Sequence, residues 1–140
     1  AVLTLPALDT SAGARLTGDL WWDTEATYDV LCAEVSTDGG ATWLPLPFST
    51  RAPHGKQDVA RSDGRVSGFN GRVWHRFAAR LPASAATSVR WRYTTDARYV
   101  GRGVYVGAQK VASRDTLLYA DARPADLARV TADGWTRERD

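Results

Sequence analysis

The chain has no methionine, one cysteine, two histidines and two lysines among its 140 residues. Each shortage removes a class of chemistry. With Cys32 alone, no internal disulfide can form, and its place in an alternating apolar stretch marks it as a small buried hydrophobe. A nucleophilic role for it would need a histidine and an orienting partner beside it. His54, in a polar stretch, and His75, in an alternating one, are too few and too isolated for a zinc site, and no His-Glu-x-x-His sequence occurs. The Gly-x-Ser-x-Gly nucleophile elbow is also missing, although a Ser-His-Asp triad is set by geometry and not by counting. Gly68-Phe69-Asn70-Gly71 and Gly101-Arg102-Gly103 lack the lysine and following helix of a phosphate loop and read as turns. No run of about 18 apolar residues is present to span a bilayer, so a soluble domain with no membrane partner is expected. The formal charge is only +2 and the arginines are spread along the chain, which leaves nucleic-acid binding with little electrostatic basis. Residue 1 is Ala and no charged-then-apolar leader is seen, so the sequence reads as an internal piece of a longer protein or a processed product.

What is present is aromatic and alternating. Hydrophobic residues make up 44% of the chain, with six Trp, five Tyr and three Phe, enough for one folded core at this length. Between Arg15 and Asp23, Leu16, Gly18, Leu20 and Trp22 fall on one face of a strand, and Arg15, Thr17, Asp19 and Trp21 on the other. Tyr28 to Ser36 forms a second strand that ends in the turn Thr37-Asp38-Gly39-Gly40, where Asp38 makes the turn. Trp43 opens a short third strand closed by Pro45 and Pro47. From Ser49 to Gly71 the composition turns polar and reads as one long loop. Alternation resumes over Arg72 to Arg80, and Val89, Trp91 and Tyr93 point one way while Arg90, Arg92 and Thr94 point the other. Gly103 to Val111 and Asp115 to Tyr119 supply two more strands, and only Pro124 to Val130 suits a helical turn. The pattern predicts a single all-β domain over residues 1–140, an antiparallel β-sandwich of the jelly-roll kind. Both ends are expected to meet a neighbouring domain or linker.

Two groups of residues are candidates for a site. Asp23, Glu25 and Asp29, at the join of the first two strands, are oxygen donors of the type a calcium ion takes, though calcium needs at least about six oxygens and a solvated turn with ordinary carboxylates is the favoured explanation. The second group is aromatic. Of the adjacent Trp21 and Trp22, one must leave the core face, and Trp74 shares its face with Arg72 and Arg76. Outward rings of this kind stack on sugars or anchor interfaces; alternatively, the long loop or a neighbouring domain covers them.

The series Trp22-Asp23-Thr24-Glu25, Tyr28-Asp29, Ser36-Thr37-Asp38-Gly39-Gly40-x-x-Trp43-x-x-Leu46, Gly68-Phe69-x-Gly71, Trp74, Arg90-x-Arg92-Tyr93-x-Thr95-Asp96, Gly103-x-Tyr105-Val106 and Asp133-Gly134-Trp135 resembles the MAM-like module of immune inhibitor A-type secreted bacterial metalloproteases (peptidase family M6-like). The resemblance runs from about Leu16 to Trp135 as an ordered series. It implies a MAM-like, galactose-binding-like jelly roll, exported from a bacterium to the extracellular space and attached to the catalytic domain of a zinc peptidase in the same polypeptide. The module would not be an enzyme by itself. The family pattern also has two acidic residues after the strand Gly-x-Tyr-Val, where this chain has Gly107-Ala108. A structural calcium site that used those acids is weakened or lost here, so no metal ligand is assigned and Glu25 and Asp29 stay only weak calcium candidates.

The expected function is therefore a non-catalytic accessory domain of a secreted bacterial metallopeptidase, supporting the catalytic domain or recognising protein substrate. The alternative is a carbohydrate-binding module that holds glycan with Trp21 and Trp74. A self-contained hydrolase would require a triad that includes His75.

Overall fold

The computed structural model describes residues 1–26, 29–69, 71–94 and 103–137. Tyr28, Asn70, Thr95-Asp96, Gly101-Arg102 and the tail beyond Arg137, all used in the sequence reading, lie outside the described residues.

Alternation along the chain becomes two antiparallel sheets. The first contains β1 (Val2–Thr4), β3 (Val30–Ser36), β4 (Leu44–Pro45), β7 (Arg65–Val66), β9 (Ser88–Thr94) and β12 (Thr131–Asp133), in the order β12–β1–β9–β3–β4 with β7 also paired to β3. The second contains β2 (Ala14–Asp23), β5 (Phe48–Arg51), β6 (Val59–Arg61), β8 (His75–Leu81), β10 (Gly103–Ser113) and β11 (Thr116–Ala120), in the order β11–β10–β2–β8–β5–β6. The sheets pack face to face as an open sandwich, not a closed barrel, and the chain crosses between them repeatedly, as the predicted jelly roll requires. A single short helix, α1 (Pro124–Leu127), is described, and no described helix is long and apolar enough to cross a membrane.

Facing residues of the two sheets make one core. Leu16, Leu20 and Trp22 of β2 and Phe77, Ala79 and Leu81 of β8 meet Leu31, Ala33 and Val35 of β3 and Val89 and Trp91 of β9. Trp91 is wholly buried and meets two rings of the opposite sheet edge-on, Phe77 at 5.1 Å and Phe48 at 5.5 Å between centroids. Each such pair contributes about 0.5–1.5 kcal/mol beyond area burial. Room for the Phe77 ring comes from Gly18, its cross-strand partner: a Cβ there would lie 2.7 Å from the ring and 2.9 Å from the Gly107 carbonyl oxygen.

Two expectations need correction. The stretch expected as one loop, Ser49 to Gly71, holds most of β5 and all of β6 and β7. These strands are two to four residues long and sit toward sheet edges, where few positions face the core, so their polar composition hides them; Phe48, Thr50 and Val66 supply the buried side chains. The strand expected from Arg72 begins only at His75, because Arg72 has a left-handed backbone (φ 55°) and Val73 is exposed. Strands not foreseen also form near both ends: β1 lies between β9 and β12, with Leu3 opposite both Trp91 and Ala132. Strands of three residues give too short an alternation to read.

Candidate functional site on the outer sheet face

Register decides which residues share the outer face of the second sheet. With Leu16, Leu20 and Trp22 turned inward, Trp21 points outward beside its cross-strand partner Tyr105 on β10, the rings meeting nearly perpendicularly at 5.4 Å. Trp74, just before β8, continues the row past the Leu20–His75 pair, and its ring lies 6.3 Å from that of Tyr105. Trp21 is half-buried, Tyr105 is 37% exposed and Trp74 is 49% exposed. The two predicted tryptophans, 53 positions apart in sequence, are thus joined through a tyrosine that sequence reasoning did not single out. Its signal was available, since Tyr105 alternates with Val104 and Val106. Within this chain the 49–71 segment leaves half of Trp74 open.

The segment that presents Trp74 is tied to the end of β2. Thr24 donates its backbone N–H to the Gly68 carbonyl (3.0 Å) and accepts the Gly68 N–H on its hydroxyl (2.7 Å), while Asp23 and Phe69 form a β-bridge. Arg72 then reaches back to Asp23, 3.1 Å from Nε to Oδ2, and places its guanidinium 5.7 Å from the centre of the 67%-exposed Phe69 ring. Positive φ at Gly68, Gly71 and Arg72 bends the chain through this path.

The acidic trio lies between the end of β2 and the start of β3. Asp23 is engaged by Arg72, Asp29 is fully buried and donates its N–H to the Glu25 carbonyl, and Glu25 is half-buried. Among the described residues no three His, Cys, Asp or Glu side chains form a group able to hold a metal ion. Asp38 makes the turn, as read from the sequence: the Thr42 hydroxyl and amide and the Ser36 hydroxyl donate to its carboxylate, holding its pKa down at about 2. His75 is buried, within hydrogen-bonding distance of the Val73 carbonyl through Nδ1 (3.2 Å) and 4.9 Å from the Trp22 ring.

Cys32 is buried, as expected, but it faces outward on the first sheet and lies outside the central core cluster. Burial pushes its thiol up despite the nearby charges of Arg92 and Arg65. On the same face, burial raises the Glu34 carboxyl, while hydrogen bonds from Arg92 and Arg90 outweigh that and hold it below its usual value. Arg90 in turn lies 4.2 Å over the Trp43 ring.

Between Gly107 and Lys110 the β10–β2 register shifts, with Ala108 in a left-handed conformation (φ 50°). The bulge turns Gln109 inward, where its Oε1 accepts the Trp91 indole N–H (2.8 Å); Asp121 accepts the Gln109 N–H and the Tyr119 hydroxyl. Gly107 and Ala108, where the family pattern has acids, are therefore part of a bulge that satisfies a buried tryptophan. No model of a known protein family matches the chain, and no curated protein matches it in sequence. Fold and site together define a two-sheet antiparallel sandwich carrying an outward aromatic row.

Proposed function

We propose that this chain is a non-catalytic accessory module of a secreted bacterial metallopeptidase, and that it holds the catalytic domain of the same polypeptide, or protein substrate, on the outer face of its second sheet. The reading draws on the ordered resemblance to the MAM-like module and on the sandwich fold. The observation that carries it is the row Tyr105, Trp21 and Trp74, large rings gathered outside the core and partly open to solvent. It is tested by biolayer interferometry of the chain against that catalytic domain and against casein and gelatin. Binding should be lost in the Trp21→Ala/Trp74→Ala variant while far-UV circular dichroism is unchanged. Binding that ignores both substitutions, or no binding to any of the three, sinks the reading. A His-Glu-x-x-His segment elsewhere in the polypeptide would identify the enzyme served.

A second reading, a carbohydrate-binding module, is favoured by the half-open Trp74 ring, because tryptophan faces stack on the C–H faces of sugars. A glycan array decides it: signal lost on Trp21→Ala or Trp74→Ala supports it, and a blank array removes it.

A further inference from the structure

The aromatic row is one end of a larger surface. Along the outer face of the second sheet the next positions in register are Gly107, Asp19, Arg76 and Arg51, followed by Lys110, Thr17, Ala78 and Ser49, then Ala112, Arg15 and Arg80. Five cationic side chains here face Asp19 and Asp58, the latter paired with Arg51 at 2.8 Å. Arg15, Arg76, Arg80 and Lys110 have no ion pair among the described residues, although four such pairs form elsewhere in the described structure. Arg15 stands directly opposite Arg80, and Arg76 directly opposite Arg51. Like charges opposed across strands destabilise a sheet unless an anion lies between them. Arg15 and Arg80 also border a shallow surface depression with Gly13, Ala78 and Ala83. The spread of arginines along the sequence is therefore deceptive, because strand register gathers residues 15 and 80 on one face.

We propose that the aromatic row and these cationic rows are one binding surface for an acidic polysaccharide. The proposal rests on the carbohydrate-binding reading and adds the charge of the ligand. A sugar unit lies on the Tyr105–Trp21–Trp74 rings, and its neighbours along the chain place carboxylate or sulfate groups over Arg76, Lys110 and the Arg15–Arg80 pair. From Trp21 to Arg15 along β2 is about 20 Å at the rise of a strand, a span that takes a short oligosaccharide. Arginine suits the task because its planar fork grips carboxylates and sulfates through paired N–H donors. Single-stranded nucleic acid fits less well: it uses rings spaced for successive bases along a cationic groove, whereas here the three rings are clustered, Tyr105 meeting both Trp21 and Trp74.

The test is calorimetric titration of the whole chain with oligogalacturonate, its fully methyl-esterified (neutral) form, a heparin fragment and single-stranded DNA. Binding is expected for the acidic glycans, with at least tenfold weakening on esterification, in Arg15→Gln/Arg80→Gln and in Trp74→Ala, and with loss of affinity as salt rises. The arginine variant should melt at the same or a higher temperature, since it relieves a like-charge pair. If the esterified glycan binds as tightly as the acid, the charge inference is overturned while the carbohydrate reading stands. If no glycan binds, both fall. DNA binding that equals or exceeds that of the acidic glycans and shows the same sensitivity to both variants assigns the face to nucleic acid and overturns the proposal.

Discussion

Replacing Gln109 by Leu tests whether the bulge in β10 exists to satisfy Trp91. Leucine keeps most of the volume but deletes the acceptor 2.8 Å from the Trp91 indole N–H, at a position where both residues are buried. An unsatisfied buried donor costs about 1–3 kcal/mol, and the added apolar burial offsets part of it, so a net loss of about 1–2 kcal/mol is expected. For a domain of this size that lowers the melting temperature by roughly 3–7 °C. The diagnostic measurement is a double-mutant cycle with Trp91→Phe, followed by urea unfolding monitored by far-UV circular dichroism. Trp91→Phe alone costs more, because it shrinks a ring that meets Phe48 and Phe77 and leaves the Gln109 oxygen without its donor. Once the indole is gone, Gln109→Leu should be nearly neutral, giving a coupling of about 1–2 kcal/mol. Additivity within about 0.3–0.5 kcal/mol would refute the argument and leave the bulge without this explanation.

Other outcomes follow from single contacts. Gly18→Ala should destabilise by about 1–3 kcal/mol, because the new methyl meets the Phe77 ring at 2.7 Å and a backbone oxygen at 2.9 Å that cannot retreat alone; a rise in melting temperature would show that the strand relaxes freely. Asp38 titrates near pH 2 when folded, below its usual 3.8, so its contribution is fully present above about pH 4 and lost as pH falls through 2. Asp38→Asn should therefore flatten the acid limb of the stability curve in that window, and an unchanged limb counts against the turn geometry. Cys32 should react with a disulfide reagent at pH 8 only on unfolding, since burial both hides the thiol and disfavours the thiolate; prompt labelling of the native chain would contradict its placement.

Period-two alternation placed β2, β3, β8, β9 and β10 within a few residues, and it assigned Trp22 and Trp91 inward and Trp21 outward, because side-chain direction in a strand is a local property. The turn at Asp38 was equally legible, since its hydrogen bonds run to residues two and four positions away. The short strands β1, β5, β6, β7 and β12 were not, because pairing with a neighbour creates them and no stretch of their own is long enough to alternate clearly. Gln109 reads as an ordinary polar residue until a one-residue slip in register turns it toward Trp91.

The candidate site divides along the same line. Sequence alone set Trp21 on the face opposite to Leu16, Leu20 and Trp22, a relation fixed by its immediate neighbours, whereas Trp74 lies just before β8, where strand alternation does not fix its direction. Only the tertiary structure decided that they share one face, that the Tyr105 ring meets both, and that Arg15 and Arg80 stand opposite each other beyond them. Those are facts of strand order and register, set by how the two inner faces fill the core, and no residue in the chain carries them by itself.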